Sequence, residues 1–367
     1  MSNQTKHQLF IAVGAYIAIG GASLLLVSPV RAASFTTTVF ATGAAVNATS
    51  PDSVTFGNNS LWVEYGNGAG STGGSGSSTI VQYSLGGSVL HTYGIPGSVD
   101  GLKYNPNTGQ VWALQNQDAN STLTIINPTN GTTSTFTYGA LYNSMSGTRG
   151  LDDVVFSGNQ TFMSVTNPAS GTDPVVLQLT NLVSPLLQSA VLTMGATGTN
   201  RVTGLPGSIP ATDPDSLKLG PNGSLILTGE GDHALMFINN PGQASQSVSF
   251  LNLLNAAGAT AGAPDDALFP TAPSGTFYLA DTGANTIYAI SASGLVPNTS
   301  LYADVASAFS SVDPTTGLVT PIFTGTSPHG MEFVAAPEPG ALGLCCMGLV
   351  FWVVRSWRAK AKRVVTW

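Results

Sequence analysis

An all-β ring of repeated blades, a β-propeller, is the fold this sequence predicts, and three observations predict it. A strand-turn-strand unit recurs with an acidic residue at its head. The recurrences are about fifty residues apart. The text between them reads as further short strands joined by Gly-, Asn- and Pro-containing turns. The fullest unit is PDDALFPTAPSGTFYLADTG, from Pro264 to Gly283. Related copies start at Pro51, Val99, Leu151 and Asp213, and a truncated copy, PHGMEFV, runs from Pro328 to Val334. With Asp52, Asp100, Asp152, Asp215, Asp265 and His329 as markers, the steps are 48, 52, 63, 50 and 64 residues. A strand-rich repeat of that period marks radial repetition.

The elements follow in order. Met1 to Ala32 has a basic residue, Lys6, then a long apolar stretch, then Val30-Arg31-Ala32. Small residues at the first and third of those positions fit a secretory signal helix cleaved before Ala33. Ser34 to Gly43 (SFTTTVFATG) reads as one strand, a candidate to pair with the last blade and close the ring, since an unclosed ring leaves sheet edges free. Each unit then opens with a short strand such as Val54-Thr55-Phe56 and continues with a more apolar one, LWVEY, VWALQ, TFMSV, LILTG or FYLAD. Strands apolar on both faces fit burial between stacked blades. Third and fourth strands follow, and turns such as Asn127 to Gly131 and Pro221-Asn222-Gly223 suit positions that need positive φ. Gly66 to Ser78, a run of Gly and Ser, reads as a flexible loop tip. The text from Ser300 to Phe323 makes the fifth unit long, and Met331 to Val334 has no following partners. Five to seven blades fit, and six with a composite last blade is favoured. The predicted domains are 1–32 signal, 33–336 propeller and 337–367 C-terminal segment.

Charge excludes one class of partner. All 18 carboxylates lie between Asp52 and Glu338, where only Lys103, Arg149, Lys218 and Arg201 are basic, leaving −14. That body offers no basic face to nucleic acid. Only 8% of the residues are charged, against about a quarter in ordinary domains. Both cysteines, Cys345 and Cys346, fall in the apolar segment near the C-terminus, so the body has no disulfide.

That segment, Ala341 to Val354, follows Pro337-Glu338-Pro339 and precedes Arg355, Arg358, Lys360, Lys362 and Arg363. It reads as a short transmembrane helix with the basic side in the cytoplasm. The ordered triplet, apolar helix and basic cluster resemble the PEP-CTERM sorting signal of Gram-negative exopolysaccharide-producing bacteria. The resemblance covers about the last thirty residues. It implies transient anchoring in the inner membrane, recognition of Pro337, Glu338 and Pro339 by a membrane transpeptidase (an exosortase), and delivery to the cell surface or extracellular matrix. Exopolysaccharide or matrix proteins are then the partners to expect.

The recurring acids, Asp52, Asp100, Asp152, Asp153, Asp215, Asp265 and Asp266, are the one constellation that suggests chemistry, with His329 in the sixth position. In a ring they converge at one mouth of the central channel. Converging carboxylates suit a hard cation such as Ca²⁺. An Asp at a loop-to-strand junction also fixes its own turn, and repetition in every blade favours that role. Broken symmetry would favour a metal. The repeats loosely resemble calcium-dependent lactonase-type propellers, which implies a hydrolase alternative, but no catalytic residue of that family can be matched. No nucleophile elbow, zinc, P-loop or dinucleotide motif is present. The expectation is a non-enzymatic binding or scaffold module, with Ca²⁺ as the one cofactor in view.

Overall fold

A computed structural model describes residues 32–144 and 149–337. The expected signal helix, the C-terminal apolar helix, Glu338, Pro339 and the basic cluster lie outside them. Among the described residues no helix is long and apolar enough to cross a membrane.

The strands form six antiparallel blades, so the protein is an all-β, six-bladed propeller. Blade 1 runs outward from the axis through Pro51–Gly57, Ser60–Tyr65, Ser77–Ser84 and Val89–Pro96. Blade 2 holds Val99–Asn105, Gln110–Gln115, Thr122–Ile126 and Thr133–Thr137, and blade 3 Leu151–Ser157, Gln160–Val165, Pro174–Leu179 and Gln188–Thr193. Blade 4 is Pro214–Leu219, Leu225–Gly229, Ala234–Asn239 and Ser247–Asn252. A hairpin of Thr197–Asn200 and Pro206–Ser208 widens blade 4 at its outer edge and accounts for the long third step of the repeat. The six innermost strands pack side by side in chain order around the axis.

Blades 5 and 6 correct the sequence reading. The unit Pro264 to Gly283 is not one hairpin. Its first strand, Pro264–Leu268, is the innermost strand of blade 5 and pairs with Leu301–Val305, followed by Ala308–Val312 and Val319–Thr324. Its second strand, Ser274–Asp281, belongs to blade 6, between Pro328–Ala335 and Thr286–Ser293. The chain thus crosses to blade 6, returns to finish blade 5, and crosses again. Between the first two strands lies Pro270-Thr271-Ala272-Pro273, where proline cannot take the positive φ of a tight hairpin. In blade 1 the corresponding turn has Asn58 and Asn59 at φ 51° and 54°.

The outermost strand of blade 6 is Ser34–Thr42, paired with Thr286–Ser293, so the N-terminal strand closes the ring as the sequence leads one to expect. Ser34 is level with Ser293 and Ser274, and Ala335 is level with Gly275. The first and last strands therefore begin and end on one face, opposite the end where the innermost strands start.

The core lies between blades. Trp62, Ile80, Val99 and Leu102 pack at the blade 1–2 junction, and Trp112, Leu151, Val154 and Met163 at the next. Both tryptophans are fully buried. Such burial stabilises each large side chain by roughly 1.5–3 kcal/mol. The Gly66 to Ser78 run, expected as a loop tip, is held against blade 2. Asp118 donates its N–H to the Ser71 carbonyl, and Asn120 Nδ2 donates to the Thr72 carbonyl at 3.0 Å.

Candidate functional site at the channel mouth

Every innermost strand opens with the same irregularity. In blade 1 Pro51 pairs with Tyr65 and Val54 with Val63, so Asp52 and Ser53 face Glu64 alone. Blades 2 to 5 repeat this two-against-one register at Asp100-Gly101, Asp152-Asp153, Asp215-Ser216 and Asp265-Asp266. In blade 6 His329 and Gly330 stand opposite Ala280. These are β-bulges, which break the side-chain alternation and re-aim a residue. Asp52, Asp100, Asp152, Asp215, Asp265 and His329 thereby line one cavity of about 340 Å³ at the start of the channel.

The small third residue in blades 2 and 6 allows the ring to close this tightly. A Cβ on Gly101 would fall 2.2 Å from the Asp152 carbonyl oxygen, and one on Gly330 would fall 2.7 Å from that of Asp52. Only glycine permits backbones to approach so closely.

The ring is not electrically symmetric. His329 Nδ1 lies 2.8 Å from Asp265 Oδ1 and 3.3 Å from Asp52 Oδ1, and Nε2 is 3.2 Å from the Ser327 hydroxyl. Burial alone would lower the imidazole pKa. The hydrogen bond and charge of Asp265, then the charge of Asp52, outweigh it and raise the group to about 11. On the opposite side Asp100, Asp152 and Asp215 bring one carboxylate oxygen each within 4.8 Å of one another. No cationic side chain among the described residues forms an ion pair with these three. Burial raises all three, Asp152 and Asp215 strongly, and the charges of neighbouring aspartates add to it. Asp52 is raised strongly too, by burial and then by Asp100, although 29% of its side chain stays open to the cavity.

Asp153 and Asp266 stand at the third position and serve the blade contacts. Asp153 Oδ1 accepts its neighbour's N–H, from Val154, while Oδ2 accepts that of Leu217 in blade 4 and lies 3.7 Å from Lys103 Nζ. Asp266 likewise accepts from Ala267 and, in blade 6, from Met331, and pairs with Lys218 Nζ at 2.7 Å. Of the seven aspartates singled out from sequence, five converge on the mouth with oxygens facing the cavity, and these two are engaged in stitching blades together.

Sequence reasoning missed a set of acids behind and above the ring. Glu64 and Asp304 sit opposite the bulges of blades 1 and 5, almost fully buried. Asp304 Oδ1 accepts the N–H groups of Asp265 and Asp266, and its Oδ2 has no partner. Both Glu64 oxygens complete no hydrogen bond. The neighbouring Ser78 hydroxyl, which accepts the Val99 N–H, only moderates a pKa raised strongly by burial and by the charge of Asp52. A carboxylate inside apolar strand text, LWVEY or LYADVA, was the available signal. Asp118, Asp213 and Glu230 line the outer part of the cavity.

No family model and no curated protein matches this chain. Solved structures of similar fold include a streptogramin B lyase, 12% identical over 83% of this chain and 74% of that one, with a TM-score of 0.43. A virginiamycin B lyase from Staphylococcus aureus is 11% identical, covering 84% and 76%, with a TM-score of 0.42. A gluconolactonase-like protein is 12% identical, covering 80% and 83%, with a TM-score of 0.46. The six-bladed architecture stands on the sheets described above.

Proposed function

We propose that this chain is an exported propeller, displayed on the cell surface or in the matrix, that acts as a non-enzymatic binding module with a divalent-cation site at its acidic mouth. The observation that carries the cation site is the split ring. His329 balances Asp52 and Asp265, whereas Asp100, Asp152 and Asp215 converge without an ion-pair partner among the described residues. Close carboxylates either share protons or hold a cation, and all-oxygen donors suit Ca²⁺. The orphaned, buried oxygens of Glu64 beside Asp52 support the same reading, since they add an acid whose charged form a cation at the mouth would stabilise. The export and display part rests on Lys6, the apolar stretch after it, Pro337-Glu338-Pro339 and the basic cluster. It would have an exosortase-like transpeptidase as its processing partner.

Calorimetric titration of Ca²⁺ into chelator-treated protein, paired with a thermal melt, tests the site. Micromolar binding with a rise in Tm of several degrees is expected. Absence of both leaves the aspartates as bulge fixtures. Hydrolysis of lactones or esters by the Ca²⁺-loaded protein, lost in Asp152→Asn, would replace the non-enzymatic reading.

A further inference from the structure

The four basic residues of the body are not equivalent. Lys103, Arg149 and Lys218 each have a carboxylate within 4.0 Å, at 3.7, 2.9 and 2.7 Å. Arg201 has none among the described residues. It stands in the turn of the extra hairpin of blade 4, between Thr197–Asn200 and Pro206–Ser208, and its Cζ lies 4.1 Å from the centre of the Phe237 ring. Stacking on one face holds a guanidinium in place while leaving its N–H edge free to form a fork.

Arg201 lines a cleft of about 400 Å³ between blades 4 and 5, at the ends of the strands remote from the acid mouth. Its walls include Asn222, Asn239, Asn298, Thr299 and Phe269. In a body of charge −14, no carboxylate of the described residues lines this cleft. Asn222 and Asn298 hold φ of 59° and 57° at turns, and neither side-chain amide forms a hydrogen bond within the described residues. The cleft therefore offers one planar cation, several neutral donors and acceptors, and one aromatic wall.

We infer that this cleft binds an acidic saccharide, with the carboxylate of a uronic acid residue on Arg201, ring hydroxyls on the asparagine amides and Thr299, and an apolar sugar face against Phe269. One guanidinium matches one carboxylate as a bidentate pair. A densely charged anion such as a phosphate cluster would find no second cation among the described residues here and would be repelled by the acidic body. This site is separate from the acidic mouth and does not depend on the cation there.

The test is calorimetric titration of tri-galacturonate, its methyl ester and maltotriose into the full chain, with Arg201→Gln and Asn298→Asp alongside. Asp keeps the size of Asn and tolerates positive φ, and it places a negative charge in the cleft. The acid trisaccharide is expected to bind at least about tenfold more tightly than the ester or maltotriose, and each variant to lose about tenfold or more, with Tm unchanged. If Arg201→Gln proves unfolded, Asn298→Asp decides alone. Equal affinity for acid and ester, or full affinity in the folded variants, overturns the inference. So does an Arg201-dependent preference for a peptide with a free C-terminal carboxylate.

Discussion

His329 Nδ1 sits between two carboxylates from the flanking blades, 2.8 Å from Asp265 and 3.3 Å from Asp52. It takes the position that aspartate holds in the other five blades, so a single substitution in the repeat supplies the mouth with its counter-charge. Replacing His329 by Gln should leave Asp52 and Asp265 facing each other unbalanced. The expected cost is about 1–3 kcal/mol at pH 7 in chelator, measured by denaturant unfolding. No loss would show that the imidazolium contributes nothing to the folded ring.

The pH dependence follows with a definite sign. Asp52, Asp152 and Asp215 have folded pKa values raised above 3.8, so the folded state holds those protons more tightly than the unfolded one. Their favourable contribution is complete below the unfolded value and is lost as pH rises through the raised one. His329, raised from 6.5 to about 11, contributes fully below 6.5 and loses that contribution as pH rises toward 11. Chelated protein should therefore melt at progressively lower temperature from pH 5 to pH 9. Saturating Ca²⁺ should flatten the upper part of that curve, because cation and proton compete for the same oxygens.

Asp152→Asn separates stability from binding. It keeps the shape of the side chain but removes one of three converging charges. The metal-free variant should be at least as stable as the parent at pH 7, while Ca²⁺ affinity falls about tenfold or more. A variant that loses stability and keeps its Ca²⁺ affinity would contradict the site.

Asp266→Ala should be far more damaging than any change at the mouth. It removes the acceptor for two backbone N–H groups, one across the blade 5–6 junction, and leaves Lys218 buried without its 2.7 Å partner. Breaking a buried pair in this way costs about 3–5 kcal/mol. Equilibrium unfolding in urea gives the value.

Gly101→Ala probes the closeness of the blades. Its Cβ would meet the Asp152 backbone, which cannot swing aside as a side chain can. Overpacking of this kind costs about 1–3 kcal/mol, and Gly94→Ala, where no atom lies within 4 Å, is the control that should stay near neutral.

The repeat was legible because each bulge leaves a local signature at the head of its innermost strand, an acid in five blades and His329 in the sixth, flanked by Pro, Val or Leu and by Ser, Gly or Asp. The convergence of those acids followed from the ring itself. The exchange of strands between blades 5 and 6 was not legible from repeat text. FYLAD looks like any second strand, and pairing is settled by contacts far apart in sequence. The two prolines before Ser274 were the local clue, since they deny the chain the tight turn made by Asn58 and Asn59. Glu64 and Asp304 were hidden for a different reason. Their meaning comes from standing opposite a bulge on the paired strand, and strand register cannot be read along one segment. The division of the ring into a balanced and an unbalanced half required side-chain distances.

Ser34 and Ala335 leave the body on the same face, and the aspartate mouth opens on the other. Orientation follows from this alone. Any attachment made through the N- or C-terminal segment would turn that face toward the point of attachment. The acidic mouth would then look away from it.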